Sequence, residues 1–428
     1  MSNNMFVIFS IFLIVMGETV GLWFVKTQLN IPEGREMASI CVYQASIVTL
    51  IVNLFRVPDS AAIIAYEKMG FYAYLSIGEA ILKLGIVFLL QYIFIDKLIL
   101  YVILYLCTTI IINIAYKIYC KKKFIYCKWR RLWDKELARE LLRFSGWNVL
   151  SSGAFVMTSQ GNSFFINRYY SVSVNAAQGI AAQVYNAVNT FITNFQTAFK
   201  PQLVKTYAAR EMEDHYQLLY KSAKWSTLLM IIVGVPVIFN LDSLLNIWLV
   251  DVPVYTKEFC LFVLFAYFVD ALVTPLSTTV SANGDIKGMH VWMSILYICQ
   301  LVFCFFALRA QMVPYIVAIS IFVVHVCFGM VYLYYAQKHC QVSIRNFIRY
   351  SAFPSVLALL VSLPVPYLLM GISQNPYMVL LVFLIDFIWA TIVSVFLGLS
   401  RKERKQVKEM LFSRMHNNIT PNEVEGLQ

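Results

Sequence analysis

The sequence predicts an all-α polytopic membrane protein, and three observations lead to that fold class. Of the 428 residues, 60% are hydrophobic and 13% are charged, whereas about 25% of a soluble domain is charged. The mean hydropathy is +0.69. Apolar runs of 19 or more residues recur along the chain, and about 20 such residues cross a bilayer as a helix. A water-soluble globular fold is therefore excluded.

Windows of about 19 residues place twelve membrane spans along the chain. In chain order they are Met5–Val25, Met37–Phe55, Phe71–Phe94, Leu98–Tyr116, Gly146–Asn167, Ala176–Phe199, Trp225–Trp248, Cys260–Ala282, Gly288–Leu308, Val313–Tyr335, Tyr350–Gly371 and Tyr377–Leu399. The first run follows an uncharged start and lacks a small-residue cleavage site, so it is predicted to be a span and not a cleaved signal peptide.

The positions of Lys and Arg orient these spans, because positive loops stay in the cytoplasm. If the segment Lys117–Arg143, with ten Lys and Arg, is cytoplasmic, then 27 of the 34 basic residues lie on that side. Six lie in the opposite loops, and Lys83 alone lies within a span. Both termini are therefore predicted to be cytoplasmic. The membrane accounts for the formal charge of +11, so no nucleic-acid partner is predicted.

The chain contains a weak internal repeat. The outer end of the first span reads Leu22-Trp23-Phe24-Val25, and that of the seventh reads Ile247-Trp248-Leu249-Val250. An acid, Glu18 or Asp242, precedes each of these ends at a similar offset. Two related halves are common in transporters.

The repeat continues into the next helices and leaves two helices over. The helix that follows leads in one half to Pro58 and in the other to Pro275, and then to a short inner loop. Helices one to four therefore correspond to helices seven to ten. Helices five and six, Gly146 to Phe199, lack counterparts, which predicts two helices missing upstream of Met1.

Three segments resemble one transporter family. Asn175–Ala209 reads NAAQGIAAQVYNAVNTFITNFQTAFKPQLVKTYAA, and it resembles the Wzx-type O-antigen and polysaccharide flippases. That family belongs to the superfamily that includes the MATE exporters and the lipid II flippases. The segments Glu18–Pro32 and Val57–Met69 extend the resemblance over nearly the whole chain.

The resemblance implies two pseudo-symmetric six-helix lobes, joined by a cytoplasmic loop and followed by two further helices. The implied domains are an N-terminal lobe of four helices (1–116), a basic cytoplasmic linker (117–145), a C-terminal lobe of six helices (146–335), two extra helices (336–400) and a cytoplasmic tail (401–428).

Few ionisable residues lie inside the spans, where a charge costs roughly 2.5–3.5 kcal/mol even on insertion scales. Glu79 and Lys83 are four residues apart and share one helix face, so they can pair. In one interpretation Lys83 binds an anionic headgroup, while Glu79 releases it or carries a coupling proton. In the other, the two form a self-neutralised pair packed between helices.

The sixth span carries a polar stripe at spacings of three and four residues. Its members are Gln183, Asn186, Thr190, Thr193 and Thr197. Neutral amides and hydroxyls suit a sugar chain in a wet cavity, so the stripe is a candidate substrate surface. Interhelical hydrogen bonding is the alternative, since polar residues also hold membrane helices together.

Two acids are candidates for ion coupling. Asp270 lies mid-span shortly before Pro275, and Glu18 lies nearer the outer interface. An acid beside an interrupted helix can bind a cation or a proton, although a structural acid with a partner fits equally. Asp386 and His325 are interpreted as structural.

No metal, haem or other cofactor is predicted. The nine cysteines include no C-x-x-C pair and no Cys/His cluster at zinc spacing, and most lie inside apolar runs.

The leading functional hypothesis is a flippase for a polyprenyl-diphosphate-linked oligosaccharide, an O-antigen or capsule repeat unit, in the bacterial inner membrane. Anionic lipids and polysaccharide assembly proteins are the further expected partners. A MATE-like drug or metabolite exporter is the first alternative, and an inactive truncated remnant is the second. A membrane enzyme is disfavoured, because such enzymes usually need a large extracytoplasmic loop or a His/Arg-rich motif, and neither is present.

Overall fold

The computed structural model describes residues 2–27, 36–92, 96–124, 135–370, 376–401 and 403–405. It divides into two compact units, unit 1 (Met1–Leu141) and unit 2 (Leu142–Gln428). The division falls inside the predicted linker 117–145. Part of that linker (125–134) and most of the predicted tail (406–428) lie outside the described residues.

The described residues up to Phe124 form five α-helices in unit 1. They are α1 (Ser2–Met16), α2 (Leu22–Thr27), α3 (Glu36–Ala65), α4 (Met69–Tyr92) and α5 (Lys97–Lys123). A π-helical turn, Gly17–Gly21, joins α1 to α2. The Tyr43 hydroxyl on α3 donates to Gly17 O at 2.6 Å. A Cβ at Gly21 would overlap that hydroxyl oxygen, so a larger residue at this position would displace the Tyr43 ring.

The most extensive packing in unit 1 joins α3 to α5. Its core holds the buried side chains of Ile63, Ile112 and Tyr116. Beside that core the rings of Phe71 and Tyr119 stack with centroids 3.6 Å apart. Many other apolar side chains of these helices are exposed, as expected where lipid takes the place of water.

The described helices after Phe124 vary in length, and the candidate membrane spans among them are more buried than those of unit 1. They are α6 (Lys135–Tyr169), α7 (Val172–Ala208), α8 (Met212–Phe239), α9 (Leu241–Trp248), α10 (Thr256–Asn283), α11 (Lys287–Arg309), α12 (Ile316–Cys340), α13 (Ile344–Phe347), α14 (Phe353–Ser362), α15 (Pro364–Leu369) and α16 (Pro376–Val393). Two π-helical segments, Ile348–Ala352 and Ser394–Gly398, follow α13 and α16. The central helices are α8 and α10, which have the most buried apolar segments.

The two units share an internal pattern that matches the repeat in the sequence. In unit 2 the most extensive packing joins α10 to α12, the counterparts of α3 and α5. Pro58 lies inside α3 and Pro275 inside α10, each about two turns before the helix ends. The helix before each of these is interrupted, by Gly17–Gly21 in unit 1 and at Asn240 in unit 2.

The predicted all-α polytopic fold is confirmed. Nine helices in the described part of the chain are long and apolar enough to cross a membrane, and the other three predicted spans also lie on helical segments. Some boundaries were wrong. The seventh span is broken at Asn240, and α3 runs through Pro58 to Ala65, because membrane helices tolerate proline where neighbouring groups satisfy the backbone.

Candidate functional site

Glu79 in unit 1 pairs with two cations. The Lys83 Nζ atom lies 2.7 Å from Glu79 Oε1, one turn along α4. From α3, a guanidinium nitrogen of Arg56 lies 2.9 Å from Glu79 Oε2. We call these three residues the cation cluster. Two cations share one carboxylate, so the cation cluster keeps one excess positive charge.

Aromatic rings and a cleft adjoin the cation cluster. Lys83 Nζ lies 4.9 Å from the Tyr105 ring centroid, within the range of a cation–π contact. Tyr105 also lines a cleft of about 450 Å³ between α3 and α5. Ser46, Thr49 and Asn53 are among its polar lining residues. An anionic group at the cluster would therefore have neutral hydrogen-bonding groups beside it.

Arg56 was missed by the sequence analysis, which counted it with the cytoplasmic residues. Its guanidinium instead contacts Glu79, eight residues into the predicted third span. Lys83 is therefore not the sole cation that reaches the spans. The apolar continuation of α3 beyond Pro58 was the available signal, because it places Arg56 within a helix and not in a loop.

The polar stripe lies on the surface of α7. Gln183, Asn186, Thr190 and Thr193 are all exposed, and Thr197 is half-buried. The hydroxyls of Thr190, Thr193 and Thr197 donate to carbonyls of α7 itself. The opposite face of α7 is buried, with Ala181, Val188 and Ile192 in the cores of unit 2. The stripe is therefore not used to pack α7 within unit 2.

If the stripe is a substrate surface, the Asn186→Leu, Thr190→Val double variant is expected to transport substrate about 30-fold more slowly, because each of two neutral hydrogen bonds is worth about 1 kcal/mol. Its unfolding free energy should change by less than about 0.5 kcal/mol, as for other surface substitutions. Thr391→Val on α16 is the matched control, because that exposed hydroxyl also donates only to its own helix. Wild-type transport by the double variant would exclude the stripe as a substrate surface.

Asp270 has a partner in unit 2. His325 Nδ1 on α12 lies 3.2 Å from Asp270 Oδ1, but the atoms lack hydrogen-bond alignment. Tyr185 and Tyr267 stack with ring centroids 3.4 Å apart, and the Tyr267 ring centroid lies 5.1 Å from that of His325. His325 was interpreted as structural, and its contact with Asp270 could not be read from sequence.

A hydrogen bond one turn before Pro275 connects α7 to α10 near Asp270. A proline removes the donor for the carbonyl four residues earlier, which here is Ala271 O. The Gln196 side chain on α7 donates to that carbonyl at 3.3 Å. The proline-interrupted segment is thereby held against the helix that carries the polar stripe.

If Asp270 is the coupling acid, an imposed pH gradient should stimulate transport by Asp270→Asn at least about fivefold less than it stimulates transport by the wild type. Fivefold is the lower end of the usual coupling between two sites. Substrate binding should persist. The comparison is made in vesicles with and without the gradient. Asp242→Asn serves as the control, because Asp242 is an exposed acid paired with Lys257. Unchanged gradient dependence in Asp270→Asn would exclude Asp270 as the coupling acid.

Glu18, the second coupling candidate, lies in the π-helical turn of unit 1 and is exposed. Gln44 on α3 donates to its carboxylate at 3.1 Å. π-helical turns often occur at functional sites. The role of Glu18 in coupling stays a prediction.

Membrane-length apolar helices with polar residues on selected faces define a polytopic membrane protein. Residues 148–306 match the MatE family model, and this segment contains α7. The crystal structure of MATE in complex with MaL6 is similar, with a TM-score of 0.61, 12% sequence identity and coverage of 78% of each chain. A comparison with curated proteins gave no match. The structural similarity shows that the fold is shared with a MATE.

Proposed function

We propose that the protein is a flippase that moves a polyprenyl-diphosphate-linked oligosaccharide across the bacterial cytoplasmic membrane by alternating access. The observation that carries this proposal is the cation cluster, with Arg56 and Lys83 sharing Glu79. Arg and Lys are the residues that bind phosphate oxygens through charge-assisted hydrogen bonds. A diphosphate can displace Glu79 from both cations, whereas a cationic substrate would be repelled.

The exposed stripe of α7 supports a glycan as the rest of the headgroup. Its amides and hydroxyls are neutral, and Gln183 and Asn186 have side chains that can donate and accept hydrogen bonds. A sugar chain offers many hydroxyls, and neutral contacts hold it weakly enough to let it move. If the face were turned toward acyl chains, its amides would be left without partners at a cost.

The membrane potential is a sufficient driving force in this proposal. Outward movement of two negative charges across about 100 mV is worth roughly 4–5 kcal/mol. Asp270 and Glu18 remain candidates for additional ion coupling. The proposed orientation has both termini in the cytoplasm, where the basic linker and tail contact anionic lipids at about 1 kcal/mol per residue. Polysaccharide assembly proteins are the proposed protein partners.

Native mass spectrometry of the purified protein tests the substrate class. The proposal expects a bound polyprenyl-diphosphate glycan that is lost in the Lys83→Ala, Gln183→Ala double variant. Retention of this lipid and normal headgroup translocation by the double variant would remove the site assignment.

A drug or metabolite exporter is the second candidate, and one observation favours it. Asp270 contacts His325, whose ring lies 5.1 Å from Tyr267 of the stacked tyrosine pair, and an acid near aromatic rings suits an organic cation. Such an exporter would bind cationic compounds in competition with one another and would bind no polyprenyl lipid.

A further inference from the structure

Asp386 on α16 is fully buried, with 0% of the residue exposed. The Asn240 amide donates to Asp386 Oδ2 at 2.8 Å and to Pro236 O at 3.0 Å. The other oxygen, Asp386 Oδ1, is also buried and has no hydrogen-bond partner among the described residues. The carboxyl group therefore has one oxygen satisfied and one free.

The pair lies deep in the membrane, at a helix break. Asn240 is the residue between α8 and α9. Asp386 lies nine residues after Tyr377, the predicted start of the last span, which corresponds to a depth of about 14 Å along a helix. This depth is near the middle of a hydrocarbon core about 30 Å thick.

The elements packed against α16 do not place a cation beside Asp386. The segments α14, α15 and Ser394–Gly398 contain no Asp, Glu, Lys, Arg or His, and Tyr367 on α15 is exposed. The acid of α9, Asp242, pairs with Lys257 at the surface.

On α8 every charged residue lies at or before Lys224. Lys224 is 16 residues before Asn240, about 24 Å along the helix, and it pairs with Glu403. A carboxylate at Asp386 would thus be buried without a counter-charge, which proteins avoid by neutralising the group. A metal cation is a poor fit, since hard cations need several oxygen ligands.

We propose that Asp386 is a proton-binding site, and that it exchanges its proton when the α8–α9 break at Asn240 moves away from α16. The free Oδ1 atom holds the proton as a neutral acid, while Asn240 closes the site by donating to Oδ2. Opening the break admits water to the carboxyl group, and the proton leaves to water as the carboxylate forms. The inference goes beyond the flippase function, because it requires no particular substrate.

Such a site links proton occupancy to the position of α9, since the proton binds the closed arrangement better than the open one. The α8–α9 break is the counterpart of the Gly17–Gly21 turn in unit 1. Both interruptions precede the outer tryptophan of the internal repeat, Trp23 or Trp248, in the chain.

Infrared difference spectroscopy of the full-length protein in lipid tests proton binding. The wild-type protein should show the carbonyl band of a protonated carboxylic acid at neutral pH. Asp386→Asn should remove this band, Asn240→Ala should shift it, and the surface control Asp242→Asn should retain it. A band that survives in Asp386→Asn, or that does not respond to Asn240→Ala, overturns the proposal. If Asp386→Asn fails to fold, the shift of the carbonyl band in Asn240→Ala tests the proposal.

Hydrogen–deuterium exchange tests the linked motion. At alkaline pH, peptides covering 236–248 should exchange faster in the wild type than in Asp386→Asn at the same pH, because asparagine mimics the protonated acid permanently. Equal exchange in the two proteins would overturn the proposed link between protonation of Asp386 and movement of the α8–α9 break. Both measurements are made without substrate, so their failure is distinguishable from failure of the flippase proposal.

Discussion

The Arg56→Gln, Lys83→Gln double variant is expected to translocate the lipid-linked glycan at least about 100-fold more slowly than the wild type. A hydrogen bond to a charged group is worth about 1.5–3 kcal/mol, and the double variant loses two such contacts with the diphosphate. Each single variant should lose about tenfold. The measurement is the initial rate at which the glycan becomes accessible to an added lectin on the far side of reconstituted vesicles.

Two controls separate phosphate binding from a structural ion pair. Lys257→Gln removes a lysine of similar exposure, 39% against 37% for Lys83, that is also paired with an acid. It should transport normally. The triple variant Arg56→Gln, Glu79→Gln, Lys83→Gln leaves no unpaired charge in the cation cluster. If the cluster is merely self-neutralised packing, that folded triple variant transports at the wild-type rate, which would contradict the assignment.

The Lys224→Ala variant is expected to lower the free energy of unfolding by about 3–5 kcal/mol, the usual cost of breaking a buried ion pair from one side. Lys224 Nζ lies 2.6 Å from Glu403 Oε2, and the two side chains are 9% and 6% exposed. Glu403 also accepts from the Ser400 backbone N–H at 2.7 Å, while its own N–H donates to Ser400 Oγ. This reciprocal arrangement is a capping box.

The same ion pair predicts how stability depends on pH. Burial acts to raise the pKa of Glu403, but the hydrogen bonds from Lys224 and Ser400 and the charge of Lys224 outweigh it and hold that pKa below its usual range. A carboxyl group whose pKa is depressed by folding stabilises the protein above its unfolded pKa, and this contribution is lost as pH falls through the folded pKa. Acid should therefore destabilise the wild type more than Lys224→Ala.

Denaturant unfolding in detergent at several pH values measures both effects. Lys257→Ala is the control, because its exposed pair with Asp242 should contribute at most about 1 kcal/mol. A Lys224→Ala protein as stable as this control would show that the tail segment around Glu403 is not held by the ion pair.

The sequence predicts the fold class because hydropathy and the positions of Lys and Arg reflect the bilayer directly. The break at Asn240 was not predicted, since the apolar run continues through it from Trp225 to Trp248. A local pattern does not reveal that the Asn240 amide donates to Asp386, a residue 146 positions later. Helix breaks that depend on such distant contacts require the tertiary structure.

The contacts of the candidate site also fall into those that the sequence predicts and those that only the tertiary structure reveals. The pairing of Glu79 with Lys83 follows from spacing along one helix, and it is present. Arg56 and His325 reach their acids from other helices, α3 and α12, so packing alone reveals them. The stripe on α7 was identified by its period, whereas its exposure depends on which face of α7 the cores of unit 2 use.

The most direct test of the flippase proposal is translocation of a purified polyprenyl-diphosphate oligosaccharide in vesicles that contain only this protein. The account predicts glycan movement that depends on the protein, is slowed by Arg56→Gln with Lys83→Gln, and is unaffected by Lys257→Gln. No movement of the glycan by folded wild-type protein, together with transport of an organic cation in the same vesicles, would contradict it.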